Sequence, residues 1–336
     1  FAFSPDETKF VYIDDYAGPM MLHVVDLTNQ KSFASGLQNN PIIKDEAYNV
    51  GTFTVDNKNI YFTAHGAQAY DWKVYKYNFT DKTLVSITNN ASYVDKLRVL
   101  GQNLVFQEVD SGTKVPAVYN LNTGKIAYFD KFIPDKTPLP GDRTEMLFGK
   151  MHGVLINPKN ILPETERKLV VWMHGGPPRQ AAFGYHPYAS YATYDWALDE
   201  LVKHGVSVLK IDYKGSQNYG RYYNDAIKYQ VGLGDVVDVV EAINETKKKI
   251  KVESVSLIGN SYGGYLGLKT LVEHPEKVDS VFFFFFVTDW WNLIAKIPWS
   301  PFTAHFGGLP SFNKTPENIA SRTKYDPSAR VIEMPK

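Results

Sequence analysis

Hydrophobic and polar residues alternate along the first third of the chain in three similar units. Each unit has an Asp, Asn or Gly turn, an alternating strand, a gap, a second strand and another polar turn. The units begin with "FSPDETKFVYID", "FTVDNKNIYFTA" and "LRVLGQNLVFQEV". Alternation with a period of two predicts strands with one buried face. The spacing is close to the ~40–50 residues of a β-propeller blade, which carries four short strands.

Residues 1–130 are therefore predicted to form a partial β-propeller of about three blades. An unrelated antiparallel sheet is the alternative. Three blades leave two exposed sheet edges, which natural proteins avoid, so we expect further blades before Phe1.

From about residue 131 the pattern changes to short apolar runs that alternate with amphipathic stretches. The apolar runs are "KLVVWMHGG", "VSVLKIDYKG", "VESVSLIGNS" and "VDSVFFFFFVTDW"; the stretches between them have helical spacing. Apolar strands alternating with helices predict a parallel sheet with helices on both faces. Within it, the block from Val281 to Val287 is predicted by its length to be a buried strand.

Composition narrows the possible partners. The 336 residues include 36 basic and 36 acidic side chains, so no overall field favours nucleic acid or an anionic membrane. The absence of cysteine excludes disulfides and thiolate metal sites, and we expect neither a metal nor a cofactor. No apolar run reaches the ~20 residues of a membrane helix, and no signal segment opens the chain. The compartment stays open, with a preference for the cytoplasm.

The stretch "SLIGNSYGGYL" carries the strongest chemical signal. Ser261 lies between Gly259 and Gly263 in a G-x-S-x-G pattern, with a strand before it and a helix after it. In a nucleophile elbow this context lifts the serine hydroxyl above the sheet, and glycines are needed because the turn is crowded. With Gly264, the pattern predicts that Ser261 is a catalytic nucleophile; a structural serine in a tight turn is the alternative.

A second glycine turn follows the first strand of the α/β part. The residues His174-Gly-Gly-Pro177 are similar to the HGG loops of esterases and lipases. We expect Gly175 and Gly176 to form an oxyanion hole with the backbone N–H of Tyr262, the residue after the serine. An ordinary turn at a strand end is the alternative.

Taken together, these segments resemble the prolyl oligopeptidase family of serine peptidases, in particular its acylaminoacyl-peptidase and dipeptidyl-peptidase-like branches. The resemblance rests on "VVWMHGGPPRQ", "DYKGSQNYGRYYNDAIKYQVGLGDVVDVVEAI", "GNSYGGY", "VTDWWN", "FGGLP" and "YDPSARVIEMP". It implies a mixed fold: a partial β-propeller in residues 1–130, and in residues 131–336 an α/β-hydrolase catalytic domain that lacks its C-terminal part. It also implies peptide substrates and places Val287, Trp290 and Trp291 near the substrate pocket. Packing of the two tryptophans in the core is the alternative, and homo-oligomerisation stays open.

The triad partners of Ser261 are harder to place. In α/β-hydrolases the acid and then the histidine follow the serine along the chain. Of the two later histidines, His274 lies at the far end of the helix that Ser261 begins, and His305 precedes a loop without a strand. The resemblance implies that both partners lie beyond Lys336, so we expect a fragment cut at both ends that is itself inactive.

Three functions are compatible with this reading. The favoured one is a peptidase that hydrolyses short peptides through an acyl-enzyme on Ser261. A carboxylesterase could use the same serine turn and oxyanion hole. A non-catalytic binding protein of hydrolase fold is the third, disfavoured because a strained turn has a cost in stability.

Overall fold

The computed structural model describes the chain in several segments. They are residues 1–16, 18–28, 42–43, 49–66, 68–88, 93–110, 113–129, 138–162, 164–290, 293, 296, 305–306 and 326–327. The chain divides into two compact units. The first comprises residues 1–139, 182–196 and 218–221, and the second residues 140–181, 197–217 and 222–336. The predicted domain limits of 1–130 and 131–336 stay a prediction.

The first unit contains three antiparallel sheets, each built from consecutive strands. Their strands are β1 (Ala2–Phe3), β2 (Lys9–Asp14) and β3 (Met21–Asp26); β4 (Asn49–Val55), β5 (Asn59–His65), β6 (Lys73–Asn78) and β7 (Leu84–Ser86); and β8 (Tyr93–Leu100), β9 (Asn103–Asp110), β10 (Thr113–Asn120) and β11 (Ile126–Tyr128). Each sheet coincides with one of the three units recognised in the sequence.

The three sheets share one feature at the corner where the second strand begins and the third strand ends. The facing residues at this corner are Lys9 and Asp26, Asn59 and Asn78, and Asn103 and Asn120. These pairs are joined by side chains, at 3.1 Å for Lys9 Nζ and Asp26, 3.1 Å for the Asn78–Asn59 amides and 3.3 Å for the Asn120–Asn103 amides. In each sheet the residue that ends the third strand also accepts a backbone N–H two residues on, the pattern of an Asx-turn. The repeat is therefore built from turn chemistry as well as from alternation.

The second unit contains one six-stranded sheet. Its strands are β12 (Asp142–Phe148), β13 (Met151–Asn157), β14 (Arg167–Met173), β15 (Ser207–Asp212), β16 (Val252–Asn260) and β17 (Ser280–Phe284), in the spatial order 12-13-15-14-16-17. Strands β14 to β17 pair in parallel, as predicted. The hairpin β12–β13 was not predicted, and it joins the sheet antiparallel to β15, so the sheet is mixed.

The three predicted helices interleave with these strands in the predicted order, and one five-residue helix was not predicted. They are α1 (Ala189–Lys203), α2 (Arg221–Asp225), α3 (Gly234–Lys249) and α4 (Tyr262–Glu273), followed by a 3-10 turn at Pro275–Lys277. Helix α1 is divided between the two units, because residues 182–196 belong to the first unit and residues 197–217 to the second. Among the described helices none is long and apolar enough to cross a membrane.

One prediction about the sheet was wrong. The block from Val281 was expected to be a buried strand, but β17 lies at the end of the strand order and pairs with β16. Phe282 is 58% exposed and Phe285 is 89% exposed. Run length could not reveal this, because an apolar strand looks the same in sequence at an edge and in the centre.

Candidate active site

Ser261 lies at a sharp turn of the second unit. Strand β16 ends at Asn260 and helix α4 begins at Tyr262, which leaves a single residue between strand and helix. Ser261 has φ +51° and ψ −118°, a conformation that L-residues rarely adopt. Its backbone N–H donates to Phe284 O at 2.9 Å, and its carbonyl accepts from Tyr265 N at 3.2 Å. Such strain persists only where the surrounding structure fixes it, and it is common at functional sites.

The glycines around Ser261 are there because nothing larger fits. A Cβ on Gly259 would lie 2.4 Å from Gly263 O, and one on Gly263 would lie 2.0 Å from Met173 O. A Cβ on Gly264 would lie 2.6 Å from Phe286 Cβ. Since two of these contacts are with backbone, they cannot be relieved by a side-chain rotation. The helix start is thus packed directly on the end of β14.

The close packing brings the two glycine turns together. Met173, the last residue of β14, pairs with Gly259 of β16, and His174 O lies within 2.6 Å of a Cβ built on Gly263. The His174–Pro177 turn therefore leaves the sheet beside Ser261, at the carboxyl edge of the parallel strands. Ligands bind at this edge in open α/β sheets.

The turn after β14 is fixed by a buried imidazole. His174 Nε2 lies 3.1 Å from Asp212 Oδ1 and 3.1 Å from Ser216 Oγ, while Nδ1 lies 2.9 Å from Gly175 O. Tyr213 stacks on the ring and donates its hydroxyl to His174 O at 2.6 Å. The "DYKGS" loop, to which the sequence assigned no chemistry, thus supports the glycine turn. No sequence pattern could have shown this, because the partners are about 40 positions apart.

Tyr262 has a second anchor besides its helix. Its side chain is fully buried, and its hydroxyl donates to Asp235 Oδ2 at 2.6 Å. Burial raises the pKa of Asp235 to about 6, and burial beside this carboxyl raises the pKa of the Tyr262 phenol well above its usual range. Asp235 lies in the "GLGDVVD" segment, whose part in the site the sequence did not reveal.

The structure describes two of the three predicted pocket residues. Val287 is half-buried and packs against the main hydrophobic cluster. Trp290 is 3% exposed and contacts the rings of Tyr262, Tyr265 and Phe306. Trp291 lies outside the described residues.

All eight histidines are in the part of the chain that the structure describes. Within the second unit, His152 Nδ1 lies 3.1 Å from Glu145 Oε1, His174 Nε2 lies 3.1 Å from Asp212 Oδ1 and His204 Nδ1 lies 2.7 Å from Glu200 O. His274 is the C-cap of helix α4, thirteen residues after the serine. His305 packs beside Phe306, and burial lowers its pKa. Among the same described residues, no group of three or more His, Asp or Glu side chains is placed to hold a metal ion.

Comparison with known proteins relates this geometry to a family. Residues 192–335 match the model of the prolyl oligopeptidase family. Human dipeptidyl peptidase 8 is 29% identical over 148 residues, which are 43% of this chain and 16% of that protein. The rat acylamino-acid-releasing enzyme is 29% identical over 143 residues, or 41% of this chain and 18% of that enzyme. The aligned segments therefore span less than a fifth of these relatives.

The fold extends over more of the chain. A puromycin-hydrolysing peptidase of Mycobacterium tuberculosis superposes on 98% of this chain with a TM-score of 0.77, at 17% sequence identity. The match covers 50% of that peptidase. The likeness thus includes the three antiparallel sheets of the first unit as well as the six-stranded sheet.

Proposed function

We propose that this chain, whose residues 192–335 match the prolyl oligopeptidase family, carries the nucleophile of a serine peptidase that hydrolyses short peptides. The finer fold follows from the same proposal: a partial β-propeller followed by an α/β-hydrolase domain. The observation that carries the functional proposal is the strained backbone of Ser261 between a strand and a helix, with no room for side chains at Gly259 and Gly263. Dipeptidyl peptidase 8 is named as a peptidase, which favours amide over ester substrates.

In the proposed reaction, Ser261 Oγ attacks the scissile carbonyl carbon and its proton passes to a general base. The N–H groups of Tyr262 and of the Gly175–Gly176 turn stabilise the oxyanion that forms. The C–N bond then breaks, the amine leaves with that proton, and water hydrolyses the ester on Ser261. Val287, Trp290 and Trp291 are proposed to form or support the pocket for the residue before the scissile bond; Trp290, being buried, would act by backing its wall.

A fluorophosphonate probe tests the nucleophile directly. The serine oxygen bonds to phosphorus and fluoride leaves, so labelling reports an activated serine. The probe is applied to the 336-residue chain and to the product of the complete gene, each beside its Ser261→Ala variant. We expect labelling of the gene product that Ser261→Ala abolishes. Labelling that survives the substitution, or no labelling of either protein, would overturn the proposal and favour a non-catalytic binding protein.

The same experiment locates the general base. If the 336-residue chain is labelled as fast as the gene product, the base is one of the eight histidines present, and His305→Ala is the next variant. If the gene product alone is labelled, the base lies outside residues 1–336. A panel of aminoacyl esters and nitroanilides then compares ester and amide cleavage.

A further inference from the structure

The side chain of Tyr262 is held by packing along its ring and by a hydrogen bond at its hydroxyl. Along the ring, Tyr213, Trp290 and Phe306 pack with centroid separations of 5.9, 5.5 and 5.7 Å. At the tip, the hydroxyl donates to Asp235 Oδ2 at 2.6 Å. An aromatic enclosure limits the tilt of the ring, and a charge-assisted hydrogen bond fixes its position along the ring axis.

The carboxyl that receives this bond is itself fixed. Asp235 is 1% exposed and lies in the first turn of α3, where Oδ1 accepts from Val236 N at 3.1 Å and Oδ2 accepts from Gly232 N at 3.3 Å. Both oxygens therefore act as acceptors toward the backbone at the start of one helix. The hydroxyl of Tyr262 is tied to a rigid point 27 residues earlier in the chain.

The backbone N–H proposed for the oxyanion hole belongs to the peptide between Ser261 and Tyr262. That peptide follows a residue with φ +51°, and it sits at the first position of α4, where the N–H has no partner within the helix. Neighbouring backbone hydrogen bonds hold Ser261, but the far side of the peptide is held through the Tyr262 side chain. A small rotation of that residue would turn its N–H away from the reacting carbonyl.

We propose that Asp235 is a positioning residue for the oxyanion hole, which holds the hydroxyl of Tyr262 and thereby fixes the direction of the Tyr262 backbone N–H. This inference rests on the proposed function, since it assigns a task to a residue that would not touch the substrate. It places a functional residue in α3, outside both glycine turns.

The test uses two substitutions that remove or weaken the same bond from opposite ends. Tyr262→Phe removes the hydroxyl and leaves the backbone N–H. Asp235→Asn replaces one carboxylate oxygen with an NH2 group, which cannot accept a hydrogen bond. If Oδ1 is replaced, the bond from Val236 N is lost; if Oδ2 is replaced, the bonds from the Tyr262 hydroxyl and Gly232 N are lost. In the gene product we expect each variant to lower the rate of fluorophosphonate inactivation, kinact, about tenfold, a fraction of the effect of losing a whole oxyanion donor. The reversible binding constant of the probe should change little, and the double variant should be no slower than the slower single one.

Asp199→Asn is the matched control. Asp199 is also a buried carboxylate of the second unit, but it pairs with Arg143 and belongs to neither turn. We expect this variant to lower Tm and to leave kinact unchanged. The proposal is overturned if Asp235→Asn and Tyr262→Phe behave like Asp199→Asn and leave kinact unchanged. It is also overturned if their effects on kinact multiply in the double variant.

Hydrogen exchange measures the constraint on the Tyr262 backbone without a reaction at Ser261. In the 336-residue chain, Asp235→Asn and Tyr262→Phe should speed amide exchange in the peptide spanning residues 258–266 at least threefold more than Asp199→Asn does. Unchanged exchange there would also overturn the positioning role. Because this measurement needs no nucleophile, a Ser261→Ala variant that is still labelled would refute the proposed function alone.

Discussion

At the scale of single residues, the serine turn depends on the absence of side-chain atoms. Gly263→Ala would place a Cβ 2.0 Å from Met173 O, a backbone atom of the neighbouring strand. We expect the variant to lose about 3 kcal/mol of unfolding free energy, the upper part of the range for overpacking, and to lose labelling at Ser261. Chemical denaturation and probe labelling measure the two effects.

Gly234→Ala is the control for this prediction. Gly234 begins α3, and a Cβ there would meet Lys214 at 3.5 Å, an ordinary contact. Since alanine favours helix, the free energy of unfolding should stay within about 1 kcal/mol of the wild type or rise. Equal losses in the two variants would contradict the steric explanation.

Asp235 also makes stability depend on pH. Burial raises the pKa of Asp235 from 3.8 to about 6, and burial also raises the pKa of the neighbouring Asp238. Between pH 3.8 and about pH 6 the folded chain binds more protons than the unfolded chain. The free energy of unfolding therefore falls as pH rises through this window. Asn at position 235 cannot titrate.

We therefore expect the stability of the wild type relative to Asp235→Asn to fall between about pH 4 and pH 6 and to level off above it. Urea unfolding at four pH values checks this, with Ser261→Ala as a variant whose difference from the wild type should be independent of pH. A difference that rises with pH would mean that the carboxyl is stabilised in its ionised form.

At the scale of elements, we expect the corner repeated in the three sheets to stabilise the first unit. Asn120 accepts from Asn122 N and Thr123 N, and its amide donates to Asn103. Asn120→Ala should cost about 1–2 kcal/mol, because three hydrogen bonds, one of them partly buried, are lost together. In thermal unfolding the exposed Asn122→Ala should cost about 0.5 kcal/mol or less. Equal effects would show that the corner has no special role.

Sequence pattern predicted these elements unevenly. The order of β14 to β17 with α1, α3 and α4 followed from apolar run length and helical spacing, and the three sheets of the first unit followed from alternation and turn residues. The hairpin β12–β13 was missed because the first four residues of β12 are polar and alternate between exposed and half-buried, and only Met146 and Phe148 near its end are buried. The exposed position of β17 depends on which strands pair, and local sequence does not contain that information.

The candidate site divides in the same way. The backbone features around Ser261 were predictable, because glycine spacing directly reflects steric limits on a turn. The Asp235–Tyr262 and Asp212–His174 contacts were not, since they join residues 27 and 38 positions apart. Long-range contacts of this kind come from the pairing of elements rather than from a motif.

At the scale of the whole chain, the two units have separate hydrophobic clusters. Leu257 belongs to the cluster of the second unit and Leu104 to one in the first, and both are fully buried. Truncating either to alanine should cost about 2–5 kcal/mol. By hydrogen exchange, we expect Leu257→Ala to reduce protection in β14 and β16 and to leave β9 and β10 protected, with the reverse for Leu104→Ala. Loss of protection throughout the chain in both variants would contradict separate cores.

The buried carboxyl of Asp235 has a calorimetric consequence. Near pH 5 it retains a proton in the folded chain that it would release on unfolding, so melting is coupled to proton transfer into the buffer. The heat absorbed on melting should then differ between a buffer with a small ionisation enthalpy, such as acetate, and one with a large ionisation enthalpy, such as histidine. Asp235→Asn should reduce this difference by the share of the proton that Asp235 releases.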